Sequence, residues 1–342
     1  MRTKKFFCLL LSGVLAFILL FGCSSTATVG SKTKSVVGAK KPYNIAVIIK
    51  ATDSDYWQTL VKGAQAAQKK NPADIKITVY GPPSESDIDK QVSILENVIS
   101  QKPDAIVIAS TSSDATVPAI KKAASQGIPV ITCDNQVHTD VVKSFLRTDN
   151  VKAGRYAAQT MVNAWKTTNI NPENKKVIVI SSMAGVQVLI DRDNGFKEEI
   201  KKLVPSIKIM QTQYVNNDVS KALATSENVI AANKDLIGIF ADNNHSGDGV
   251  ARAIIEKKCQ NSVFGVSFDT DEEEINAVKS GALKGTVVQD PWLMGNQGVQ
   301  YAVQCIEGKS IPAVVDTGAT VVTKKNISED KVAKLLDPSK RS

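Results

Sequence analysis

Polar and aromatic side chains collect in the loops that directly follow the predicted strands of this chain. The residues that these loops contribute are Ser54, Tyr56, Trp57, Asp134, Asn135, Asn243, Asp269 and Gln289. Carboxylates and amides form several hydrogen bonds each, and aromatic rings offer flat apolar area of fixed geometry. A polyol has hydroxyls around its rim and C–H bonds on its two faces. This combination of side chains therefore favours a site for an uncharged, hydroxyl-rich ligand.

Catalytic chemistry finds little support in the same sequence. His138 and His245 are the only two histidines among 342 residues, and His245 is adjacent to Ser246, which is unsuited to a Ser-His-Asp relay. Phosphate-loop and metalloprotease motifs are absent from the sequence. Asp134 and Asp269 could form a carboxylate pair for glycoside hydrolysis, but 34 acidic residues make such a pair expected by chance. We expect no enzymatic activity, no cofactor and no metal.

The elements that position these loops alternate regularly from Tyr43 onward. Asn44–Ile49 is an apolar run of strand length, and Ile88, Val92, Leu95 and Ile99 form a helical stripe. The alternation runs to Cys133 and then restarts, which predicts an α/β protein with two doubly wound parallel-sheet lobes. Ligands of such sheets bind beyond the carboxyl ends of the strands, where the polar loops lie. In the second half, the pattern predicts helices over 193–203 and 249–257 and a single strand over 207–214.

The N-terminal segment predicts export. A basic start precedes a largely apolar run, 6–21, and we interpret residues 1–22 as a signal peptide. Leu20-Phe-Gly-Cys23 resembles a bacterial lipobox, which implies lipidation at Cys23, and the small polar residues within 23–42 predict a flexible tether. An uncleaved membrane anchor is the alternative. We expect an extracytoplasmic protein, lipid-anchored to the cell membrane.

Charge and cysteine content narrow the range of partners. The first 41 residues contain seven basic residues and no acidic one, so the rest of the chain has 35 basic and 34 acidic residues. A nearly neutral body excludes a basic footprint for nucleic acid. Cys133, Cys259 and Cys305 remain after the N-terminal segment, and their spacing fits no disulfide framework.

Five short motifs, in order, resemble the periplasmic binding proteins of the ribose-binding type, which are the ligand-capturing subunits of ABC sugar importers. The resemblance covers roughly residues 43–325 and rests on 128–134, 148–150 followed by Gly154, 191–196, 264–269 and 287–291. It implies a type I fold with a three-segment hinge. The first lobe would comprise 43–147 plus 290–318, and the second 148–289 plus 319–342.

The resemblance also implies a set of ligand contacts, namely Ser54, Tyr56, Trp57, Asp134, Asn135, Arg192, Asn217, Asn243, Asp269 and Gln289. From the residues alone, Tyr56 could equally begin a core helix, whereas the ligand is favoured for Trp57, and Arg192 could be an ordinary helix-face arginine. Ribose binders have an arginine where this chain has Asn135 and an aromatic residue near Asn217. These departures favour another pentose or hexose, a sugar alcohol or a cyclitol over ribose.

The resemblance implies a monomer that captures such a ligand between its lobes and delivers it to an ABC permease and its ATPase. A sensing subunit that presents the ligand to a chemoreceptor or sensor kinase is the alternative. Sugar-responsive repressors share the fold, but they carry a DNA-binding segment where this chain carries an export signal.

Overall fold

The computed structural model describes residues 40–341 of the chain. The predicted signal peptide, the lipidation at Cys23 and most of the predicted tether lie outside the described residues. Between Lys40 and Arg341, no helix combines the length and the apolar character needed to cross a membrane.

The first lobe is a six-stranded parallel sheet with helices on both faces. Its strands are β1 (Tyr43–Ile48), β2 (Ile75–Tyr80), β3 (Ala105–Ala109), β4 (Val130–Cys133), β5 (Ser144–Arg147) and β12 (Val314–Asp316). Its helices are α1 (Asp55–Lys70), α2 (Ile88–Ser100), α3 (Val117–Ser125) and α9 (Pro291–Ile306). The strand order is β12-β5-β4-β3-β1-β2. The central strands are buried on both faces, which explains their continuous apolar runs.

The second lobe repeats this plan. Its strands are β6 (Lys176–Ser181), β7 (Lys208–Ile209), β8 (Gln213–Tyr214), β9 (Leu236–Ala241), β10 (Phe264–Phe268), β11 (Leu283–Gln289) and β13 (Ala319–Val322). Its helices are α4 (Asn150–Thr167), α5 (Gln187–Leu203), α6 (Val219–Ala232), α7 (Asn244–Glu256) and α8 (Glu272–Ser280). The order is β13-β11-β10-β9-β6-β7, and β13 alone pairs antiparallel. After β13, α10 (Asp330–Leu336) and a 3-10 turn (Pro338–Lys340) complete the described chain.

The chain passes between the two sheets three times. It crosses from β5 to α4, from β11 to α9 and from β12 to β13, so that residues 148–149, 290 and 317–318 connect the lobes. The predicted fold class, two doubly wound lobes joined by three segments, is confirmed. Each lobe folds around its own sheet, and the loops between the lobes follow the carboxyl ends of β1, β4, β6, β9, β10 and β11.

Several boundaries differ from the sequence expectation. The predicted strand over 207–214 is two short strands, because Val177 pairs with Ile209 whereas Ile180 pairs with Gln213, which leaves one extra residue on this side of β6. Helix α5 begins at Gln187 rather than at 193. Helix α7 begins at Asn244 rather than at 249, because Asn243 and Ser246 form a capping box that starts the helix earlier.

Two glycines allow helices of the second lobe to cross closely. A Cβ atom at Gly154 on α4 would lie 2.0 Å from the carbonyl oxygen of Arg192 on α5, and one at Gly195 would lie 2.1 Å from that of Val151. Any larger residue at either position would push the helices apart. The close crossing places the start of α4 against the arginine that the sequence singled out.

Candidate functional site

A cavity lies between the carboxyl ends of the two sheets. We call it the interlobe cavity, and its lining residues are Lys50, Tyr56, Trp57, Glu85, Asp134, Ser182, Met183, Val186, Val188, Leu189, Arg192, Asn243, Asn244, Asp269 and Gln289. The first five belong to the first lobe, and the rest come from the second lobe and its connection to α9.

Asp134 is the central carboxylate on the first-lobe side. It follows β4 in a left-handed backbone conformation with φ 65°, and only 3% of its surface is exposed. Lys50, two residues after β1, donates to its Oδ2 at 2.6 Å, and the hydroxyl of Tyr56 lies 3.4 Å from Oδ1. Burial acts to raise the pKa of Asp134, but Lys50 and Arg192 outweigh it and hold the pKa below its ordinary value. Asp134 is therefore an ionised acceptor at neutral pH.

Tyr56 and Trp57 in the first turn of α1 provide the aromatic wall. Their rings contact edge to face, with centroids 4.6 Å apart. Both side chains also belong to the hydrophobic core of the first lobe. Tyr56 and Trp57 therefore pack in the core and line the cavity at the same time. The buried indole Nε1 of Trp57 donates to Glu85 at 2.6 Å. Glu85 comes from the loop between β2 and α2.

Arg192 on α5 is held by three neighbours in the second lobe. Its Nε donates to Asn150 Oδ1 and its Nη1 donates to the carbonyl oxygen of Asp242, both at 2.8 Å. Its guanidinium lies 3.8 Å from the ring centroid of Phe268. Planar stacking and directed hydrogen bonds fix a guanidinium more firmly than they could fix an ammonium. Arg192 therefore presents a fixed cation to the interlobe cavity.

Asp269 is the second-lobe counterpart of Asp134. It follows β10 with φ 70°, Gln289 Nε2 donates to its Oδ1 at 2.8 Å, and Arg192 Nη1 lies 3.7 Å from its Oδ2. Burial raises its pKa to about 7, against the opposing effects of Arg192 and Gln289. Near neutral pH, Asp269 can therefore either donate or accept a hydrogen bond.

A network of small polar groups lies behind the second-lobe wall. Asn217 Oδ1 accepts from Ser182 Oγ at 2.9 Å and from Asn243 Nδ2 at 2.8 Å. Asp242 accepts from Ser181 Oγ and from the Ser182 amide, and burial raises its pKa to about 6. These contacts fix the orientation of Ser182 and Asn243 before any ligand is bound.

The second-lobe loop before α5 and the first turn of α5 supply an apolar part of the wall. Met183, Val186, Val188 and Leu189 line the interlobe cavity there. Val188 and Leu189 are buried, and Met183 and Val186 are partly exposed at the edge. The cavity therefore has a polar interior and an apolar side, as C–H faces of a sugar require.

The sequence-predicted residues fall into two groups. Tyr56, Trp57, Asp134, Arg192, Asn243, Asp269 and Gln289 line the interlobe cavity. Ser54, Asn135 and Asn217 are buried beside it without lining it: Ser54 is the N-cap of α1, Asn135 donates to Ser113, and Asn217 supports Asn243. Whether these ten contact a ligand stays a prediction.

Sequence reasoning missed Lys50, Glu85, Asn244 and the apolar loop. Lys50 lies two residues after β1 and Asn244 three residues after β9, so both fall in the loop regions where the site was expected, which was a usable signal. Lys50 also supplies a charged donor beside Asp134, where Asn135 had suggested that one was missing. Glu85 lies three residues before α2 begins and 28 residues along the chain from its partner Trp57, so only the folded structure reveals the contact.

Comparisons with known proteins identify relatives along nearly the whole described chain. The family described as "Periplasmic binding protein domain" matches residues 45–310. The ribose import binding protein of Haemophilus influenzae is 28% identical over 304 residues, which is 89% of this chain and 99% of that protein. The D-allose-binding periplasmic protein of Escherichia coli is 27% identical over 78% of this chain and 86% of its own length.

Solved structures agree with the sequence relatives. A carbohydrate transporter solute binding protein from Agrobacterium radiobacter, in complex with D-arabinose, is 35% identical with a TM-score of 0.83, over 87% of this chain and 100% of that one. An ABC transporter solute binding protein from Agrobacterium vitis with bound D-fucose is 36% identical with a TM-score of 0.80, over 86% of this chain and 100% of that one.

Proposed function

Because this chain belongs to the periplasmic binding protein family, we propose that it captures a neutral monosaccharide in the interlobe cavity and delivers it to an ABC importer. The family comprises substrate-binding proteins of importers and not enzymes. The relatives are named for import or for a bound sugar, and none of those described above is named for sensing. The importer role is therefore favoured over the sensing alternative.

The observation that carries the proposal is the chemistry of the interlobe cavity. Asp134 and Asp269, one from each lobe, face a space that also contains Arg192, Lys50 and two aromatic rings. Charged groups form stronger hydrogen bonds to hydroxyls than neutral groups do. A buried wall built for hydroxyls penalises any ligand that leaves its polar groups unpaired. A sugar satisfies both requirements, through its rim and its faces.

The relatives narrow the ligand class. Those described above are named for ribose or allose or hold arabinose or fucose, all neutral monosaccharides. We propose a pentose or hexose of this kind, with sugar alcohols and cyclitols next. Asn135 and Asn217, which replace the arginine and the aromatic residue of ribose binders, argue against ribose itself.

Capture would depend on movement of the two lobes. We propose that 43–147 plus 290–318 and 148–289 plus 319–342 rotate about the three connections as units. A ligand favours closure only through the contacts that it gains in the closed form. From the first lobe, Tyr56 and Asp134 would contact a face and hydroxyls of the sugar. Arg192 and Asp269 would complete the contacts from the second lobe.

We further propose that the protein is monomeric and anchored outside the cytoplasmic membrane by lipid on Cys23, following a signal peptide at 1–22. The support comes from the N-terminal sequence pattern. Labelling with a radioactive fatty acid in a bacterial host tests this directly. A chain carrying Cys23→Ala should lose the label, and retention of the label would refute the assignment.

Sugar capture is tested by thermal-shift screening followed by calorimetry. The panel contains D-ribose, D-allose, D-arabinose, D-fucose, sugar alcohols and inositols, and a native-state ligand raises the melting temperature by mass action. We expect at least one neutral sugar to bind and to change the fluorescence of Trp57, with Trp57→Phe as the control. Absence of binding across the panel would contradict the proposal.

A further inference from the structure

We infer that Glu85 is a specificity-determining residue that excludes acidic sugars from the interlobe cavity. The inference deepens the proposed function and rests on it. Glu85 lines the cavity from the first lobe, and its carboxylate accepts the buried Trp57 N–H at 2.6 Å. It was not among the residues that sequence similarity assigned to ligand contact.

The loop that carries Glu85 is held in place before any ligand arrives. Pro82 and Pro83 restrict its backbone, and the Pro82 carbonyl oxygen accepts from the amide of Thr52 in the loop after β1 at 3.0 Å. On the other side, the Asp87 amide donates to the Ser84 carbonyl oxygen at 3.1 Å. The Glu85 side chain is therefore held at its carboxylate by Trp57, and its backbone is held by the hydrogen bonds of the loop.

Charge balance gives the carboxylate its effect. The interlobe cavity is lined by two cationic side chains, and each is paired with a carboxylate other than Glu85. Lys50 lies 2.6 Å from Asp134, and Arg192 lies 3.7 Å from Asp269. Glu85 belongs to neither pair and brings a third carboxylate. After burial, Asp134 and Glu85 are among the influences that raise the pKa of Asp269, so the field of Glu85 reaches across the cavity to the second lobe.

An anionic ligand would meet the Glu85 carboxylate in a space of low polarisability, where like charges repel more strongly than in water. A neutral sugar meets only a hydrogen-bond acceptor. Natural binding sites commonly gain specificity in this way, through a repulsive element directed against the wrong ligand.

A purely structural role for Glu85 would be to satisfy the Trp57 N–H. Glu85→Gln separates the two roles, because the amide oxygen can still accept from the indole while the charge is removed. Asp89→Asn in the first turn of α2 is the matched control. Asp89 is exposed and does not line the cavity, and the substitution removes its charge by the same carboxylate-to-amide change.

The experiment measures dissociation constants by calorimetry for the neutral sugar of the panel that binds wild-type protein most tightly, and for D-galacturonate and D-glucuronate. We expect the ratio of acidic to neutral dissociation constants to fall at least tenfold for one of the acids in Glu85→Gln, and to stay within twofold of wild type in Asp89→Asn. Glu85→Ser removes the same charge but introduces a smaller side chain, and the ratio of dissociation constants should fall to the same extent.

A fall of less than tenfold for both acids, or an equal fall in Asp89→Asn, would overturn the inference. So would undetectable binding of both acids to Glu85→Gln at concentrations a thousandfold above its neutral-sugar dissociation constant. Failure of the wild-type protein to bind any neutral sugar would instead refute the proposed function, so the two failures are distinguishable.

Discussion

Asp134 and Asp269 occupy equivalent places in the two lobes but differ in charge. Each follows a buried central strand, each has a left-handed backbone, and each donates its amide hydrogen to a neighbouring strand, Asp134 to Leu146 and Asp269 to Val287, at 2.8 Å. Lysine contacts Asp134 directly and lowers its pKa, whereas burial raises the pKa of Asp269 to about 7. The same backbone arrangement therefore presents an ionised acceptor from one lobe and a titratable group from the other.

The two lobes are therefore similar in backbone and different in electrostatics. A carboxylate that keeps its charge serves as a fixed acceptor. A carboxylate that titrates near neutral pH adapts to donors and acceptors alike. The four predictions below test this difference, from the largest expected effect to the smallest.

Removing the ionised member of the pair should have the largest effect. Asp134→Ala leaves the Lys50 ammonium buried without its partner, which should destabilise the fold by about 3–5 kcal/mol and abolish tight sugar binding. Urea unfolding and calorimetry measure the two losses. The double variant Asp134→Ala with Lys50→Met should recover most of the stability without recovering binding. If Asp134→Ala were as stable as wild type, the ion pair between Asp134 and Lys50 would not form.

Removing the cation of the second lobe should come next. Arg192→Ala deletes a guanidinium that three neighbours hold toward the cavity, and sugar affinity should fall by ~2–4 kcal/mol. Calorimetry at neutral pH measures this loss. Arg155→Ala serves as the control, because Arg155 is exposed and pairs only with Glu198 at 3.4 Å. An unchanged affinity in Arg192→Ala would remove this residue from the site.

The titratable carboxylate should make stability depend on pH. The ordinary pKa of Asp269 is 3.8 and its folded value is about 7, so between these limits the folded protein keeps a proton that the unfolded chain releases. Its contribution to stability is therefore fully present below about pH 4 and is lost as pH rises through about 7. The stability of wild type minus that of Asp269→Asn should fall by up to about 1.4 kcal/mol per pH unit in this interval. A pH-independent difference, measured by urea unfolding, would contradict the raised pKa.

Ser54 should have the smallest effect. Its buried hydroxyl oxygen has no hydrogen-bond partner within residues 40–341 and does not line the interlobe cavity. Ser54→Ala should therefore change sugar affinity less than twofold by calorimetry. A tenfold loss would instead place the Ser54 hydroxyl against the sugar and make the first-lobe contact set larger than the cavity indicates.

Much of the site could be predicted because it lies at strand ends. Asp134, Asp269 and Gln289 each follow or end a largely buried strand, and parallel strands bring their carboxyl ends to one edge of a sheet. Short strands at or next to the sheet edges escaped prediction: β5, β12 and β13 have three or four residues each and show no clear periodicity. Their pairing depends on partners elsewhere in the chain, which the local sequence does not report.

The amino-acid sequence by itself determined the strand and helix alternation, the two sheets and the types of side chain at the strand ends, because these follow from local periodicity. Tertiary structure alone decided that Lys50 pairs with Asp134, that Glu85 reaches Trp57 and that Asp269 titrates near neutral pH. The physical reason is that ion pairing and desolvation depend on distance and burial in space, and residues 84 positions apart along the chain can be in direct contact.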